Sequence, residues 1–412
     1  MKNYFFIVAF IVCSHLSFSQ KAVVAVEDMT GMWGYATPDG TEIVPTKYID
    51  AHAFTTDGVA MVRMVDKKWA LINSNNEKVS NALTNYEPKG YVFYTKGFDE
   101  EMMLVVSSGK YGYLNGKGEV IIKPEFEELS EYKGDYAIGK IDAKYYIVDR
   151  AGVKTEIKAT ADHVNYLTNG YAPFRWKKQF GYVDVSGKVV IEATYKKVGY
   201  FEGERAWAMN ASGKLGIIDT KGNWLVEAKY DKISDPEPTH HVAIGKIGEL
   251  VEFIEADGST TIMEGVVAFG DFSEGFAWVR QGELVGVVNH KGDWIIPAEY
   301  TKIERATSGF VNVKKGELWG LFDVHGKQLL PFDYERIENL NDGLIAVKKA
   351  GLWGFSNAAG DIVIEPKFDN VRDFHNGYAA ASKGGLWGMI NKTGEFTMKP
   401  KYHRVNDVVL TK

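Results

Sequence analysis

The sequence predicts an all-β protein, a tandem array of eleven repeats of about 34 residues each. Three observations support this: an aromatic–glycine pair recurs along the chain, a second glycine follows it at a constant distance, and short apolar segments flank that glycine. The 412 residues include 43 glycines but only 11 prolines. This composition is typical of many tight turns that join well-packed strands.

The first recurring element is a pair that we call the repeat anchor. It lies 34 to 36 residues from the next pair, except for 42 residues between the second and third copies. We expect its members to pack in the structure, and a glycine within a strand predicts close approach by a neighbour, here the aromatic side chain of the adjacent copy. The eleven pairs are Trp33 and Gly34, Trp69 and Ala70, Tyr111 and Gly112, Tyr145 and Tyr146, Phe180 and Gly181, Leu215 and Gly216, Val251 and Glu252, Val285 and Gly286, Trp319 and Gly320, Trp353 and Gly354, and Trp387 and Gly388.

The second recurring element is a turn. Six residues past the anchor, ten copies have Gly and the second copy has Asn76, while Asp or Asn stands three residues earlier in nine copies. Asx at the first and Gly at the fourth position predict a type I turn closed by a left-handed residue. Because Asn tolerates that conformation, Gly326→Asn is expected to be milder than Gly326→Val.

The third element follows the turn. Short apolar segments predict strands, and eight copies carry an aromatic residue fourteen positions past the anchor. A second glycine turn and another apolar segment complete a unit of three to four short antiparallel strands. The eight aromatic residues are Tyr48, Phe126, Tyr195, Tyr230, Tyr300, Tyr334, Phe368 and Tyr402.

Together these elements resemble WG repeats, also called KWG or WG β-repeats, over residues 22–412. Copies two, four and seven depart from the family pattern at Ala70, Tyr146 and Glu252. Copy six lacks the second glycine turn, around residues 235–241. The resemblance implies a β-rich, usually exported array and implies little about activity.

Repeats that contact only their neighbours can stack openly or close into a ring. Eleven units exceed the 4–8 blades of typical propellers, and the spacing between copies varies. The sequence therefore favours an open superhelix or solenoid, with a closed, propeller-like ring as the alternative.

The N-terminus has the features of a secretory signal, with Lys2, an apolar run over 5–12, and Ser17 and Ser19 before a cleavage site. We therefore expect a signal peptide over 1–19 and the repeat array over 20–412. The run is too short to span a bilayer, and no later segment qualifies. This predicts export to the periplasm, outer surface or medium of a Gram-negative bacterium.

The sequence predicts no catalytic, cofactor-binding or metal-binding residues. Cys13 is the only cysteine, and the net charge of −6 makes nucleic acid an unfavourable partner. His240 and His241 with Glu237 suggest a metal site, but a solvated loop is preferred because a third ligand at suitable spacing is missing. His290 is expected to be an exposed turn residue.

Aromatic residues outside the anchors are the candidates for binding. Trp224 and Trp294 hold equivalent positions and predict either a binding stripe or packing between repeats. The insertion in copy two, with Tyr91, Phe93 and Tyr94, is either a cap over the array's end or a recognition loop.

These observations predict a non-enzymatic binding or scaffold module for protein or glycan partners in the cell envelope, because repetition creates extended surfaces. The alternatives are a carbohydrate-active enzyme with carboxylates from different repeats, and a structural spacer.

Overall fold

The computed structural model describes residues 20–91, 94, 95, 97–304 and 306–411, with the backbone alone at 91, 94 and 95. The predicted strands are present and form eleven antiparallel sheets, which we call blades. Each blade has a short first strand, then two central strands and a fourth strand at the edge. The repeat anchor lies at the start of the third strand, so blades 2 to 11 take their first two strands from residues that precede their own anchor.

The strands of the first five blades and the single helix of the described residues follow in chain order. Blade 1 contains β1 (Lys21–Glu27), β2 (Trp33–Ala36) and β3 (Glu42–Tyr48); blade 2 contains β4 (Asp50–Ala51), β5 (Ala60–Arg63), β6 (Trp69–Ile72) and β7 (Lys78–Ser80), followed by α1 (Ala82–Asn85); blade 3 contains β8 (Glu87–Pro88), β11 (Met102–Ser107), β12 (Lys110–Asn115) and β13 (Val120–Phe126), with the inserted hairpin β9 (Gly90–Tyr91) and β10 (Tyr94–Thr95); blade 4 contains β14 (Glu128–Leu129), β15 (Tyr136–Ile141), β16 (Lys144–Asp149) and β17 (Lys154–Glu156); blade 5 contains β18 (His163–Val164), β19 (Tyr171–Trp176), β20 (Gln179–Asp184) and β21 (Val189–Tyr195).

The remaining blades repeat the four-stranded pattern. Blade 6 contains β22 (Lys197–Val198), β23 (Arg205–Met209), β24 (Leu215–Asp219) and β25 (Trp224–Tyr230); blade 7 contains β26 (Lys232–Ile233), β27 (Ala243–Ile247), β28 (Leu250–Ile254) and β29 (Thr260–Ile262); blade 8 contains β30 (Val266–Phe269), β31 (Phe276–Gln281), β32 (Leu284–Asn289) and β33 (Trp294–Tyr300); blade 9 contains β34 (Lys302–Ile303), β35 (Phe310–Lys315), β36 (Leu318–Asp323) and β37 (Gln328–Tyr334); blade 10 contains β38 (Arg336–Asn341), β39 (Leu344–Lys349), β40 (Leu352–Asn357) and β41 (Ile362–Phe368); blade 11 contains β42 (Asn370–Val371), β43 (Tyr378–Lys383), β44 (Leu386–Asn391) and β45 (Phe396–Tyr402); β46 (Arg404–Val405) and β47 (Val409–Thr411) end the chain.

The two ends of the chain meet in blade 1. The C-terminal strands β46 and β47 both pair with β1, so β46 supplies the first strand that blade 1 lacks. The backbone N–H of His403 donates to the carbonyl of Glu27 at 2.8 Å, and the Thr411 hydroxyl donates to the carbonyl of Thr55 in blade 2 at 2.8 Å. The blades therefore form a closed ring.

The predicted open superhelix is wrong, and the closed ring that was its alternative is correct. The open form was favoured because of the blade number and the 42-residue spacing. The extra residues are accommodated by α1 and by the hairpin of β9 and β10, while blades 2 and 3 still pack together. An insertion of this kind leaves the blade-to-blade contacts intact, so it does not prevent closure.

The core confirms closure, because it is divided among the junctions between blades. The buried side chains form eleven clusters, and each joins two neighbouring blades. One of them joins Val24 and Val26 of blade 1 to Met389, Met398 and other residues of blade 11. An open array of eleven blades has only ten junctions. Eleven clusters therefore require a ring.

The anchor glycine is explained by a bulge in the fourth strand of its own blade. In eight blades the fourth strand has seven residues, and its register with the third strand shifts beside the anchor. A Cβ at Gly354 would lie 2.4 Å from the carbonyl oxygen of Ile364. The predicted neighbour, an aromatic side chain from the adjacent copy, was wrong; the close neighbour is backbone.

The aromatic residue fourteen positions past the anchor ends the same strand. It lies opposite the first residue of the anchor, as in the pairs of Trp33 with Tyr48 and Trp353 with Phe368. Trp319 is buried, whereas Trp33, Trp353 and Trp387 are half-buried against the junction clusters. Blades 2, 4 and 7 lack the anchor glycine, and their fourth strands have only three residues.

The predicted turn is confirmed. In blade 9 the side chain of Asp323 accepts the backbone N–H groups of His325 and Lys327 at 2.9 Å each, and Gly326 has φ of 82°. Asn76 adopts the same region with φ of 64°. However, a Cβ at Gly326 would lie 2.3 Å from the carbonyl oxygen of Ile295 in blade 8. Any side chain at this position therefore meets the neighbouring blade, and the milder effect of Asn relative to Val stays a prediction.

We predict that ring closure carries much of the stability. Deleting residues 403–412 removes the pairing with β1 and the buried Val405 and Val408, which should cost more than about 4 kcal/mol. Thermal unfolding followed by circular dichroism should show a lower Tm, and small-angle scattering should show a larger radius of gyration. Removing Lys412 alone is the control. An unchanged Tm and radius after the longer deletion would contradict closure.

We also predict that two left-handed glycines of blade 9 respond differently to the same change. Gly309 has φ of 79° with open space around it, so Gly309→Ala should cost only the conformational term of about 1 kcal/mol. Gly326→Ala should cost the same conformational free energy. The contact of its Cβ with the Ile295 carbonyl should add roughly 1–3 kcal/mol. Denaturant unfolding of both variants measures the difference. Equal costs would show that blade 8 yields without penalty.

Candidate functional site

A large cavity lies between blade 2, α1 and blade 3, and we call it the insertion cleft. Its volume is about 990 Å³, at the upper end of the range of small-molecule sites. The fourth strand of blade 2 borders it, together with the turn before β6. Its lining residues are Met64, Asp66, Lys67, Lys68, Trp69, Lys78, Leu83, Thr84, Asn85, Tyr86, Glu87, Pro88, Gly90 and Val106.

The cleft exists because blade 2 is incomplete. Blades 4 and 7 also have short fourth strands, but there the chain returns to the anchor: the N–H of Ile157 donates to the carbonyl of Tyr145, and that of Met263 to Val251, both at 2.9 Å. In blade 2 the pairing of β7 with β6 stops at Leu71, and the chain turns into α1. Within the described part of the chain, no backbone N–H beyond β7 donates to the Trp69 carbonyl.

The walls of the cleft combine apolar surface with positive charge. The indole of Trp69 is half-buried, with the Arg63 guanidinium 5.5 Å from its ring centre. Lys68 forms an exposed ion pair with Asp66 at 3.7 Å, and the Lys78 ammonium donates to the Thr84 hydroxyl at 3.3 Å. An aromatic edge with flexible cations nearby suits an extended, anionic chain.

The ring decides one question that the sequence left open. A cap is needed only at the end of an open array, and a closed ring has no end. The cap that was expected as one alternative therefore does not apply, and the recognition loop stays a prediction. Tyr91 and Tyr94 pair through their backbones in the short hairpin, their side chains lie outside the described residues, and Phe93 lies outside them altogether.

The other two candidate aromatics lie far from this cleft, on fourth strands. Trp224 is half-buried, packs edge-on against Tyr195 of blade 5 at 5.6 Å, and covers Gly216 of its own blade. Trp294 covers Gly286 in the same way but is 40% exposed. Both indoles shield an anchor glycine, and that of Trp294 also offers an open surface.

A second cavity of about 600 Å³ runs across the first strands of blades 4 and 5. Tyr166 stacks on Tyr200 of blade 6 at 4.3 Å, and Lys133 lies 5.7 Å from the Tyr166 ring centre. Burial and the nearby Tyr166 hydroxyl raise the pKa of Tyr200 well above its usual value. The sequence did not single out this groove, because its residues come from three blades and share no motif.

The histidine loop, residues 237–241, takes the place of the missing glycine turn of copy six. Glu237 is buried, and its carboxylate accepts the N–H of Thr239 at 2.9 Å and a hydrogen bond from His240 Nδ1 at 3.1 Å. His290 of blade 8 is half-buried and stacks on His240, so it is not the freely exposed turn residue that was expected. Among the described residues, no three His, Cys, Asp or Glu side chains are placed to hold a metal ion.

A closed ring of eleven four-stranded antiparallel blades defines the protein as a β-propeller. The model of the WG containing repeat matches nine segments that together cover more than half of the chain, so the chain belongs to the WG-repeat family. The matched residues are 33–69, 111–145, 180–212, 216–237, 268–284, 286–319, 319–353, 353–387 and 387–408.

Solved structures with a similar arrangement are distant in sequence. Hsv2p of Kluyveromyces lactis is 11% identical with a TM-score of 0.31, over 63% of this chain and 94% of its own. Apo AztD from Citrobacter koseri is 12% identical with a TM-score of 0.30, over 75% and 93%. PorZ, a surface component of the type-IX secretion system of Porphyromonas gingivalis, is 13% identical with a TM-score of 0.25, over 85% and 58%. Similarity at this level does not bear on function.

No curated protein matches the sequence. Over the described ranges, no helix has the length and apolar character needed to cross a membrane.

Proposed function

We propose that this protein is an exported, non-enzymatic binding or scaffold module that holds an extended partner chain, protein or glycan, in the insertion cleft. The observation that carries the proposal is that, within the described residues, blade 2 alone has an anchor left uncovered by a following strand, beside a cavity of about 990 Å³. Closed rings provide rigid supports for such sites, and recognition residues commonly lie on the loops of a rigid scaffold.

The charge of the cleft favours an anionic partner. Lys67, Lys68 and Lys78 outnumber Asp66 and Glu87 along its walls. Lysine side chains at an exposed rim steer an oppositely charged partner and raise its rate of association. The half-buried Trp69 and Tyr86 supply flat apolar surface, which serves both sugar rings and extended peptides.

Export rests on the signal-like segment over 1–19, which lies outside the described residues. A carbohydrate-active enzyme is disfavoured at the insertion cleft, because catalysis of that kind uses two carboxyl groups about 5–10 Å apart across one cleft. The acidic residues that line the insertion cleft are Asp66 and Glu87, and Asp66 forms an ion pair with Lys68. Glu87 therefore has no second, unpaired carboxylate to act with among the described residues of the cleft. A spacer would have no reason to leave one blade open.

We predict that reversing the charge of two lysines in the cleft strongly reduces the binding of its partner. The chain from Gln20 onward is immobilised and incubated with envelope extract, and bound material is analysed for both peptides and monosaccharides. Lys67→Glu with Lys68→Glu should reduce the retained material at least about tenfold, because two attractive contacts become repulsive. The matched control is Lys177→Glu with Lys178→Glu, in the equivalent turn of blade 5, where Lys177 also has positive φ.

Equal retention by the cleft variant and the control would contradict the cleft as the site. Retention of nothing by the unaltered chain would favour a spacer, and release of product from a panel of polysaccharides would favour an enzyme. Detection of peptides or of monosaccharides in the bound fraction decides between a protein and a glycan. Circular dichroism of each variant checks that the ring is intact.

A further inference from the structure

Neighbouring blades touch at a recurrent contact outside the core. In the turn between a blade's third and fourth strands, the residue that follows the Asx contacts the loop between the first and second strands of the preceding blade. At two junctions this contact is an ion pair: Arg150 of blade 4 meets Glu100 of blade 3 at 2.6 Å, and Lys392 of blade 11 meets Asp342 of blade 10 at 2.8 Å. Both ion pairs are reinforced by hydrogen bonds to the backbone carbonyls of the same acidic residues.

At the junction of blades 7 and 8 the equivalent contact is made by two histidines instead of an ion pair. His290 follows Asn289 in the turn of blade 8, and His240 lies in the histidine loop of blade 7. Their rings stack with centres 3.6 Å apart and planes 10° apart. An imidazole binds a metal ion in its own ring plane, and two nearly parallel stacked rings share no such point. The pair is therefore a packing contact between two titratable groups.

The charged groups around this pair come from several elements. On the loop, the carboxylate of Glu237 faces His240 Nδ1, and His241 has a buried Nδ1 without a hydrogen-bond partner among the described residues. On the blade 8 turn, Lys291 and Asp293 flank His290. Arg205 of blade 6 donates to the carbonyl of His241 at 3.3 Å and so holds the loop from its other side.

The turn between β30 and β31 of blade 8 also lies beside His290. A Cβ at Gly275 would lie 3.7 Å from His290 Nδ1, while the carboxylate of the adjacent Glu274 accepts the N–H groups of Ser308 and Gly309 at 2.8 Å each. Glu274 is thus directed to blade 9. Asp293 and Glu237 are the acidic groups that favour the charged form of His290, and burial, His240 and Lys291 oppose it.

The net effect of these groups on the pKa of His290 is a decrease. Burial, followed by the neighbouring His240 and Lys291, lowers the pKa of His290 below its usual 6.5. The folded protein then binds fewer protons than the unfolded chain as pH falls through 6.5. The contribution of this contact is therefore fully present above pH 6.5 and is lost as pH falls through the lowered pKa.

We propose that the stacked pair of His240 and His290 is a pH-sensitive latch between blades 7 and 8. The latch holds the histidine loop against the neighbouring turn while the His290 ring is neutral, and it loosens in mildly acidic surroundings. At the junction of blades 10 and 11 the hydrogen bond from Lys392 lowers the pKa of Asp342, so this carboxylate keeps its charge through the same range. The latch does not depend on what the insertion cleft binds.

Hydrogen exchange of the chain from Gln20 onward tests the latch. After correction for the intrinsic exchange rates, amides over 237–242 and 289–292 should lose protection at pH 5.0 relative to pH 7.5. Amides at the junction of Lys392 and Asp342 should show no such change. His240→Asp with His290→Lys recreates the ion pair of blades 10 and 11 and should remove the pH dependence at this junction.

His325→Ala is the matched control, because it removes a turn histidine of blade 9 that has no imidazole partner among the described residues. It should leave the pH dependence of the junction unchanged. An NMR titration of the ring protons should place the midpoint of His290 below 6.5. Opening that is equal at the two pH values, or opening that persists unchanged in the ion-pair variant, would overturn the proposal.

Discussion

The structure depends on the burial of each blade's apolar side chains against its neighbours. A single four-stranded sheet has two faces and cannot bury either alone, so every blade requires a partner on both sides. The eleven junction clusters meet this requirement, including the one between blade 11 and blade 1. Closure is then the consequence, because the C-terminal strand β46 completes the sheet that begins with β1. Without it, two apolar faces would be exposed to water.

Within that frame, three features of the repeat depend on one another. A seven-residue fourth strand bulges over the third strand, and the bulge brings a carbonyl to the place of the anchor's Cβ. Only glycine fits there, and the strand then delivers its final aromatic residue opposite the anchor. Where the strand is short, the position accepts a side chain. In blade 7, Glu252 uses that freedom to pair with Lys229 and accept the Tyr230 hydroxyl of blade 6.

The departures from the repeat locate the candidate sites. The insertion cleft lies where blade 2 has Ala70 and a short fourth strand, and the histidine loop lies where copy six lacks its glycine turn. The repeated residues serve packing and turn geometry, so they have little freedom to evolve binding contacts. Residues released from those constraints supply the chemistry, which is the usual division between a scaffold and its loops.

Local chemistry was readable from the sequence alone. The Asx–glycine turn at Asp323 and Gly326, the strands around it and the family all follow from contacts between residues close in the chain, whose spacing is visible in one repeat. The sequence also marked the insertion and the irregular loop of 237–241 as exceptions. Export and partner type remain predictions, because the signal-like segment lies outside the described residues and no partner is present.

Only the tertiary structure decided what depends on residues far apart in the chain. The open or closed state depends on whether residues 404–411 reach β1, and the pattern within one repeat is the same in either case. The carbonyl of Ile295 that excludes a side chain at Gly326, and the stacking of His290 on His240, come from neighbouring blades. A repeat specifies its own strands and turns, whereas the ring determines which residues of different repeats meet.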